Sequence, residues 1–152
     1  MKLSKPVKIV LLLLLGSFLI AVRTFENNWF YDPFIAHFKQ ADYLKSVPGF
    51  ETIRLIYNLL LRYILNSFAS ILILVLIFDT QIIRFLLALY LLFGILLGLI
   101  YVFLMLYFLP ESFTLFFYIR RFVIQPLLLF VLIPAIFYGR KTNKIDTFTT
   151  KK

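Results

Sequence analysis

Four apolar runs, separated by short polar segments, dominate the sequence. They cover roughly residues 7–25, 55–78, 84–109 and 113–138, and a transmembrane helix needs about 20 such residues. The apolar residues are continuous rather than alternating, which is typical of spanning helices and not of β-barrel strands. The pattern therefore predicts an all-α polytopic membrane protein with four transmembrane helices, forming a single membrane domain over residues 1–152.

The first run also fits a second interpretation, because a basic start followed by an apolar stretch is typical of a signal peptide. The segment that follows reads LIAVRTFE and contains no small-residue cleavage motif. We therefore expect the first run to remain as an uncleaved membrane anchor.

Residues 26–54 form the long polar segment of the chain. With Arg23 included, four basic and four acidic side chains balance one another there. The dipeptides DP at 32–33 and PG at 48–49 are turn signals, and NNWFY at 27–31 is rich in aromatic residues that settle at the headgroup level. We expect a compact outer loop that rests on the membrane surface.

Composition and charge support a membrane location. Hydrophobic residues make up 62% of the chain, whereas soluble domains contain about 45 to 50%. The net charge of +9 is concentrated beside the first and last runs, at Lys2, Lys5, Lys8, Arg140, Lys141, Lys144, Lys151 and Lys152. Flanking clusters of this kind mark cytoplasmic ends, so we expect an inner (cytoplasmic) membrane protein with both termini cytoplasmic and no nucleic-acid partner.

The residue inventory argues against catalysis and metal binding. The chain has no cysteine and one histidine, His37, which excludes disulfides, thiolate metal sites, a cysteine nucleophile and a histidine-rich metal site. None of the serines Ser17, Ser67, Ser70 and Ser112 has a histidine base at a recognisable spacing. We therefore expect neither an enzyme, nor a metal, nor a cofactor.

A polar stripe follows the second predicted span. Asn58, Arg62, Asn66 and Ser70 recur at every fourth residue, so they lie along one slowly drifting helix face. Because a charged or amide group facing lipid is costly, the stripe should face the bundle interior. Its role could be hydrogen bonding between helices or direct binding.

Two glycines on the third predicted span indicate a helix-packing groove. Gly94 and Gly98 are four residues apart, which matches the small-residue motif for close helix approach.

Two adjacent arginines lie within the fourth predicted span. Arg121 shares a helix face with Tyr118 and Gln125, whereas Arg120 lies about 100° away. Pro126 removes a backbone hydrogen bond and predicts a kink close to the arginines.

The predicted topology brings the arginines to a similar level. Counted from the outer helix ends, Arg62, Arg120 and Arg121 all lie roughly 10 to 14 Å deep. We predict an arginine tier near the outer interface, with Asn66 and Gln125 orienting the guanidinium groups. Glu26, Asp32 and Glu111 are candidate charge partners on the same side. The alternative is an anion site for a lipid phosphate or a partner's carboxylate.

Five segments, in this order and covering nearly the whole chain, carry a family resemblance. They are RTFE at 23–26, FYDPF at 30–34, RYILNS at 62–67, FYIRRFVIQP at 117–126 and PAIFY at 134–138. The chain resembles the exosortase F system-associated proteins, small membrane proteins encoded beside an exosortase in Gram-negative bacteria. The resemblance implies a role in protein sorting. Exosortases look like cysteine-dependent enzymes, and this chain has no cysteine. The resemblance therefore does not imply that this chain is the transpeptidase.

These observations lead to one functional expectation and two alternatives. We expect a non-catalytic accessory membrane protein that contacts an exosortase or another membrane protein through the arginine tier. The first alternative is an enzyme or carrier that binds the phosphate-bearing headgroup of a membrane lipid. The second is a purely structural membrane subunit whose arginines are all paired internally.

Overall fold

The fold is a bundle of helices. In this computed structural model, the described residues are 4–39, 48–109, 111 and 113–141. The helices are α1 (Lys5–Thr24), α2 (Glu26–Trp29), α3 (Phe34–His37), α4 (Thr52–Phe78), α5 (Ile83–Tyr107), α6 (Phe113–Ile124) and α7 (Leu127–Lys141), with a 3-10 turn at Thr80–Ile82. Those residues contain no β-strand, which confirms the all-α class. Asp42 and Lys45 of the outer loop, and the terminal Lys2, Lys144, Lys151 and Lys152, lie outside the described residues.

Three of the helices, α1, α4 and α5, are long and apolar enough to cross a membrane. The consecutive helices α6 and α7 meet that condition together, although they are bent by 63° at the break between them. The described part of the chain therefore offers three spans, or four when the bent pair counts as one.

Proline explains the break inside the predicted span 113–138. Pro126 has no backbone N–H, so the hydrogen-bond ladder of α6 stops before it. The chain restarts through a bond from the Leu127 N–H to the Gln125 carbonyl, at 2.8 Å, and one from the Leu129 N–H to the Pro126 carbonyl, at 3.1 Å. The predicted kink is present, and it amounts to a full interruption between two helices.

Two apolar clusters fix the direction of each helix. The first joins the start of α4 to the end of α5, to α6 and to α3, around Leu55, Tyr101 and Phe116. The second joins the end of α4 to the start of α5, to α7 and to α1, around Leu74 and Leu86. We call these two ends of the bundle the loop end and the tail end.

The bent pair runs the full length of the bundle. Helix α6 begins at the loop end, and Arg140 near the end of α7 donates a hydrogen bond to the Phe78 carbonyl at the tail end. The pair therefore extends from the loop end to the tail end of the bundle. Since α1 also begins at the tail end, both ends of the described chain lie there.

The two glycines of the predicted groove have different surroundings. A Cβ built on Gly94 would lie 2.5 Å from Cε1 of Tyr63, so α4 and α5 can approach closely at this point because Gly94 has no side chain. The Tyr63 hydroxyl also donates to the Tyr90 carbonyl at 2.6 Å. A Cβ built on Gly98 would meet no described atom within 4 Å, so this half of the motif leaves room for a side chain.

Candidate functional site

Four charged side chains meet inside the loop end of the bundle, and we call them the charge cluster: Glu26, Asp32, Arg62 and Arg120. Nη1 of Arg62 lies 2.8 Å from Oδ2 of Asp32, and its Nη2 pairs with Glu26. Nε of Arg120 donates to the same Asp32 oxygen at 3.1 Å, and its Nη2 also pairs with it. The Arg62 side chain is only 1% exposed, so these charges are held away from solvent.

Asp32 occupies the centre of the charge cluster because of its local turn. Its second oxygen, Oδ1, accepts a hydrogen bond from the Phe34 N–H at 3.2 Å, which fixes the start of α3. Phe34 is fully buried, and its ring lies 4.9 Å from the ring of Phe116 on α6. The Asp32-Pro33 dipeptide thus orients one carboxylate toward two helices.

Glu26 reaches the charge cluster from the junction between α1 and α2. It is the first residue of α2, and its Oε2 also accepts a hydrogen bond from Nη1 of Arg23 at 2.8 Å. The Arg23 side chain is 57% exposed, so this third guanidinium lies at the edge of the cluster. Two of the three predicted charge partners, Glu26 and Asp32, therefore contact the predicted arginines.

The charge cluster is neutral in its buried part. Two buried guanidinium groups face two carboxylates, and this pairing offsets part of the cost of removing the arginines from water. Aromatic rings cover the cations: Arg62 lies over the Phe30 ring at 5.3 Å and Arg120 over the Phe38 ring at 5.8 Å. This arrangement can hold the segment that contains α2 and α3, which we call the outer segment, against the bundle.

The polar stripe on α4 faces the bundle interior, as its spacing predicts. Asn58 accepts from the Tyr31 N–H at 3.1 Å and donates to the Arg54 carbonyl at 2.8 Å. Asn66 donates to the Ile124 carbonyl, the last of α6 before the break. Asn66 therefore binds a carbonyl that the interrupted helix leaves free. The sequence predicted that Asn66 orients a guanidinium group, but its described hydrogen bond goes to this carbonyl and not to an arginine.

Arg121 lies away from the charge cluster. It is exposed, and its Nε donates to Oε1 of Gln125 at 3.1 Å on the outer surface of α6. Tyr118 on the same face is 52% exposed. The predicted tier of three arginines is therefore a pair, Arg62 and Arg120, with Arg121 turned outward.

Helix rotation explains why Arg120 is buried and Arg121 is not. Arg120 shares the buried face of α6 with Phe113, Phe116 and Val123, and its neighbour in sequence is rotated from that face by about 100°. The third predicted charge partner, Glu111, is exposed, and among the described residues it forms no ion pair with these arginines.

An outer pocket of about 450 Å³ lies beside the charge cluster and was not predicted from the sequence. It forms where the segment around α2 folds against the first turns of α4. Its lining consists of Asn27, Asn28, Trp29, Phe30, Tyr31, Asp32, Pro33, Arg54 and Asn58. The sequence signal was the NNWFY run, which indicated an interfacial loop without showing that it closes on Arg54.

Among the described residues, no group of three or more His, Cys, Asp or Glu side chains is placed to hold a metal ion. His37 is buried among aromatic rings, with the Phe113 ring 5.6 Å away. What the arrangement can do is immobilise the outer segment and present a polar pocket. Comparison with protein-family models, with curated proteins and with solved structures finds no match for this chain.

Proposed function

We propose that this chain is a non-catalytic accessory membrane protein of an exosortase-type protein-sorting system. One observation carries the proposal. Four of the five segments that resemble the exosortase F system-associated proteins each supply one member of the charge cluster: Glu26, Asp32, Arg62 and Arg120. Segments far apart in sequence therefore converge on one buried site.

The geometry favours assembly over direct contact as the role of the buried arginines. Arg62 and Arg120 already bind carboxylates of their own chain, so they hold the outer segment in shape. The surface offered to a partner is then the outside of that segment, which includes the exposed Trp29 ring, and the outward side of α6 with Arg121.

The charge distribution of the described chain supports an orientation with the tail end in the cytoplasm. Lys5, Lys8, Arg84, Arg140 and Lys141 lie at that end, and positive charge beside a span favours the cytoplasmic side. Because the chain has no cysteine, single cysteines can be introduced without background. A membrane-impermeant maleimide should label a cysteine replacing Asn28 in intact spheroplasts and not one replacing Gln81; the opposite labelling would invert the topology.

Sorting in a strain that carries the exosortase tests the function. Deleting the gene should leave proteins with a C-terminal anchor unsorted, and the tagged chain should copurify with the exosortase from native membranes. Asp32→Asn should reduce both sorting and copurification, because it breaks the charge cluster. Glu51→Gln, which changes an exposed side chain outside the cluster, should leave both unchanged. Normal sorting in the deletion strain would contradict the proposal.

A purely structural subunit is the second candidate, and the internal pairing of both buried arginines favours it. The two candidates are separated by measuring both exosortase abundance and substrate sorting in the deletion strain, even when the deletion also impairs the assembly of other membrane proteins. A structural subunit would affect exosortase abundance, whereas an accessory protein would affect substrate sorting at unchanged exosortase abundance.

A further inference from the structure

The outer pocket contains an arginine that the charge cluster does not use. Arg54 lies in the first turn of α4, and its guanidinium carbon is 4.4 Å from the centroid of the Tyr31 ring. Stacking on a ring leaves the in-plane N–H groups of a guanidinium available to an acceptor. The Arg54 side chain is 59% exposed, so the donors of this group are accessible from outside the protein.

The competing carboxylates near Arg54 are weakly placed. Glu51 approaches Nη1 of Arg54 at 4.0 Å, and its side chain is 72% exposed; pairs of this kind are easily displaced. Asp32 also lines the outer pocket, but its Oδ2 is bound by Arg62 and Arg120 and its Oδ1 accepts the Phe34 N–H. An anion entering the pocket therefore meets Arg54 without a fixed carboxylate on it.

The mouth of the outer pocket borders a strip of exposed apolar side chains on α4. Exposed apolar side chains recur along α4 at Ile53, Tyr57, Leu60, Ile64 and Phe68. At 100° per residue these five fall within about 80° of one another, and Arg54 borders the strip. A molecule with acyl chains along this strip would place its polar end at the pocket.

We propose that the outer pocket binds the phosphodiester headgroup of a membrane lipid, with the Arg54 guanidinium as its anchor. Guanidinium groups bind phosphate oxygens in bidentate geometry, and the amides of Asn27 and Asn28 add donors and acceptors for the rest of the headgroup. A volume of about 450 Å³ lies within the range of small-molecule sites. The site shares the wall residue Asp32 with the charge cluster but neither of its buried arginines, and it requires no sorting function.

Trp29 provides a direct reporter, because it lines the outer pocket and is the single tryptophan of the chain. The purified full chain in a neutral detergent is titrated with phosphatidylglycerol while Trp29 emission is recorded. Dioleoylglycerol, which has no phosphate, and inorganic phosphate, which has no acyl chains, are titrated in parallel. Phosphatidylglycerol should change the emission at the lowest concentration.

Matched arginine variants locate the effect. Arg54→Gln should weaken phosphatidylglycerol binding about tenfold, the value for losing one charge-assisted hydrogen-bonding group. Arg54→Lys should fall between it and the parent chain, because an ammonium keeps the charge without the planar fork. Arg121→Gln removes an exposed arginine outside the pocket and should bind as the parent chain does.

Several results would overturn the proposal. An equal loss of phosphatidylglycerol affinity in Arg54→Gln and Arg121→Gln would indicate that binding depends on general surface charge. Binding of dioleoylglycerol as tight as that of phosphatidylglycerol would show that the phosphate is not recognised. Inorganic phosphate binding as tightly as the lipid would indicate a soluble anion instead. Tighter binding of a peptide with a free C-terminal carboxylate would indicate a protein ligand. If Arg54→Gln loses its helical circular dichroism, Arg54→Lys is compared with Arg121→Gln instead. The proposal then requires that Arg54→Lys bind phosphatidylglycerol more weakly than Arg121→Gln does.

Discussion

Replacing Asp32 with asparagine removes the carboxylate that both buried arginines share. Asparagine keeps an oxygen that can accept the Phe34 N–H and nearly the same volume, so the change is mainly one of charge. The Asp32 side chain is 4% exposed, and its partners Arg62 and Arg120 are 1% and 10% exposed. Water therefore cannot readily replace the missing charge.

The magnitude follows from the geometry of the charge cluster. Removing one partner of a buried ion pair costs about 3 to 5 kcal/mol, because the other charge is left without a partner. Arg62 retains Glu26 as a partner, which places Asp32→Asn near the lower bound. We expect a loss of about 3 kcal/mol, or about 100-fold in the folding equilibrium.

Unfolding of the purified protein in detergent, followed by Trp29 emission and by circular dichroism, measures this loss. Glu51→Gln is the matched control, because Glu51 is exposed and lies 4.0 Å from Arg54; such pairs contribute about 0 to 1 kcal/mol. A second substitution, Arg120→Met, removes the guanidinium that Asp32→Asn leaves unpaired and should recover at least about 1 kcal/mol. The reasoning fails if the two substitutions are simply additive, or if Asp32→Asn costs no more than Glu51→Gln.

Three further substitutions test the packing and the backbone of the bundle by the same unfolding measurement. Gly94→Ala should destabilise the protein by about 1 to 3 kcal/mol, because the new methyl group overlaps the Tyr63 ring, which is held by its own hydrogen bond. Gly98→Ala is the control, and because it places a methyl group in open space it should change stability by less than about 0.5 kcal/mol. Equal effects of the two substitutions would contradict the contact between Gly94 and Tyr63. Asp79, between α4 and the 3-10 turn, has φ 74° and ψ 164°, a conformation that favours glycine. Asp79→Gly should therefore stabilise the protein by about 1 kcal/mol. A loss of stability would show that the contacts of the aspartate side chain outweigh the backbone strain.

Hydropathy and helical period were enough to predict much of this fold. The long apolar runs correspond to α1, α4 and α5, and the missing N–H of Pro126 correctly located the bend between α6 and α7. The spacing of the stripe on α4 also placed Arg62 inside the bundle, because a helix 27 residues long and apolar on its other faces has one polar face to bury.

The choice between Arg120 and Arg121 could not be made from the same rules. Both arginines were predicted to belong to the tier, since polar residues in a span usually face the protein. Arg121 and Tyr118 are instead exposed, and the rule is weak near the end of a span, where a long polar side chain can extend to the headgroups. The aromatic residues on the face of Arg120 decide the rotation by packing against the outer segment.

The charge cluster gives the outer segment a specific attachment that apolar packing alone would not define. Glu26 and Arg62 are 36 residues apart, and Asp32 and Arg120 are 88 apart, so the cluster ties three remote parts of the chain to one point. Replacing a buried ion pair by apolar groups often preserves stability, so we attribute to these charges the selection of one arrangement. Rotating α6 by one residue would bring Arg121 to Asp32 in place of Arg120, but it would also turn the buried Phe113, Phe116 and Val123 away from the core. The charges therefore fix the point at which the outer segment attaches, and the apolar face of α6 fixes which of the two arginines reaches it.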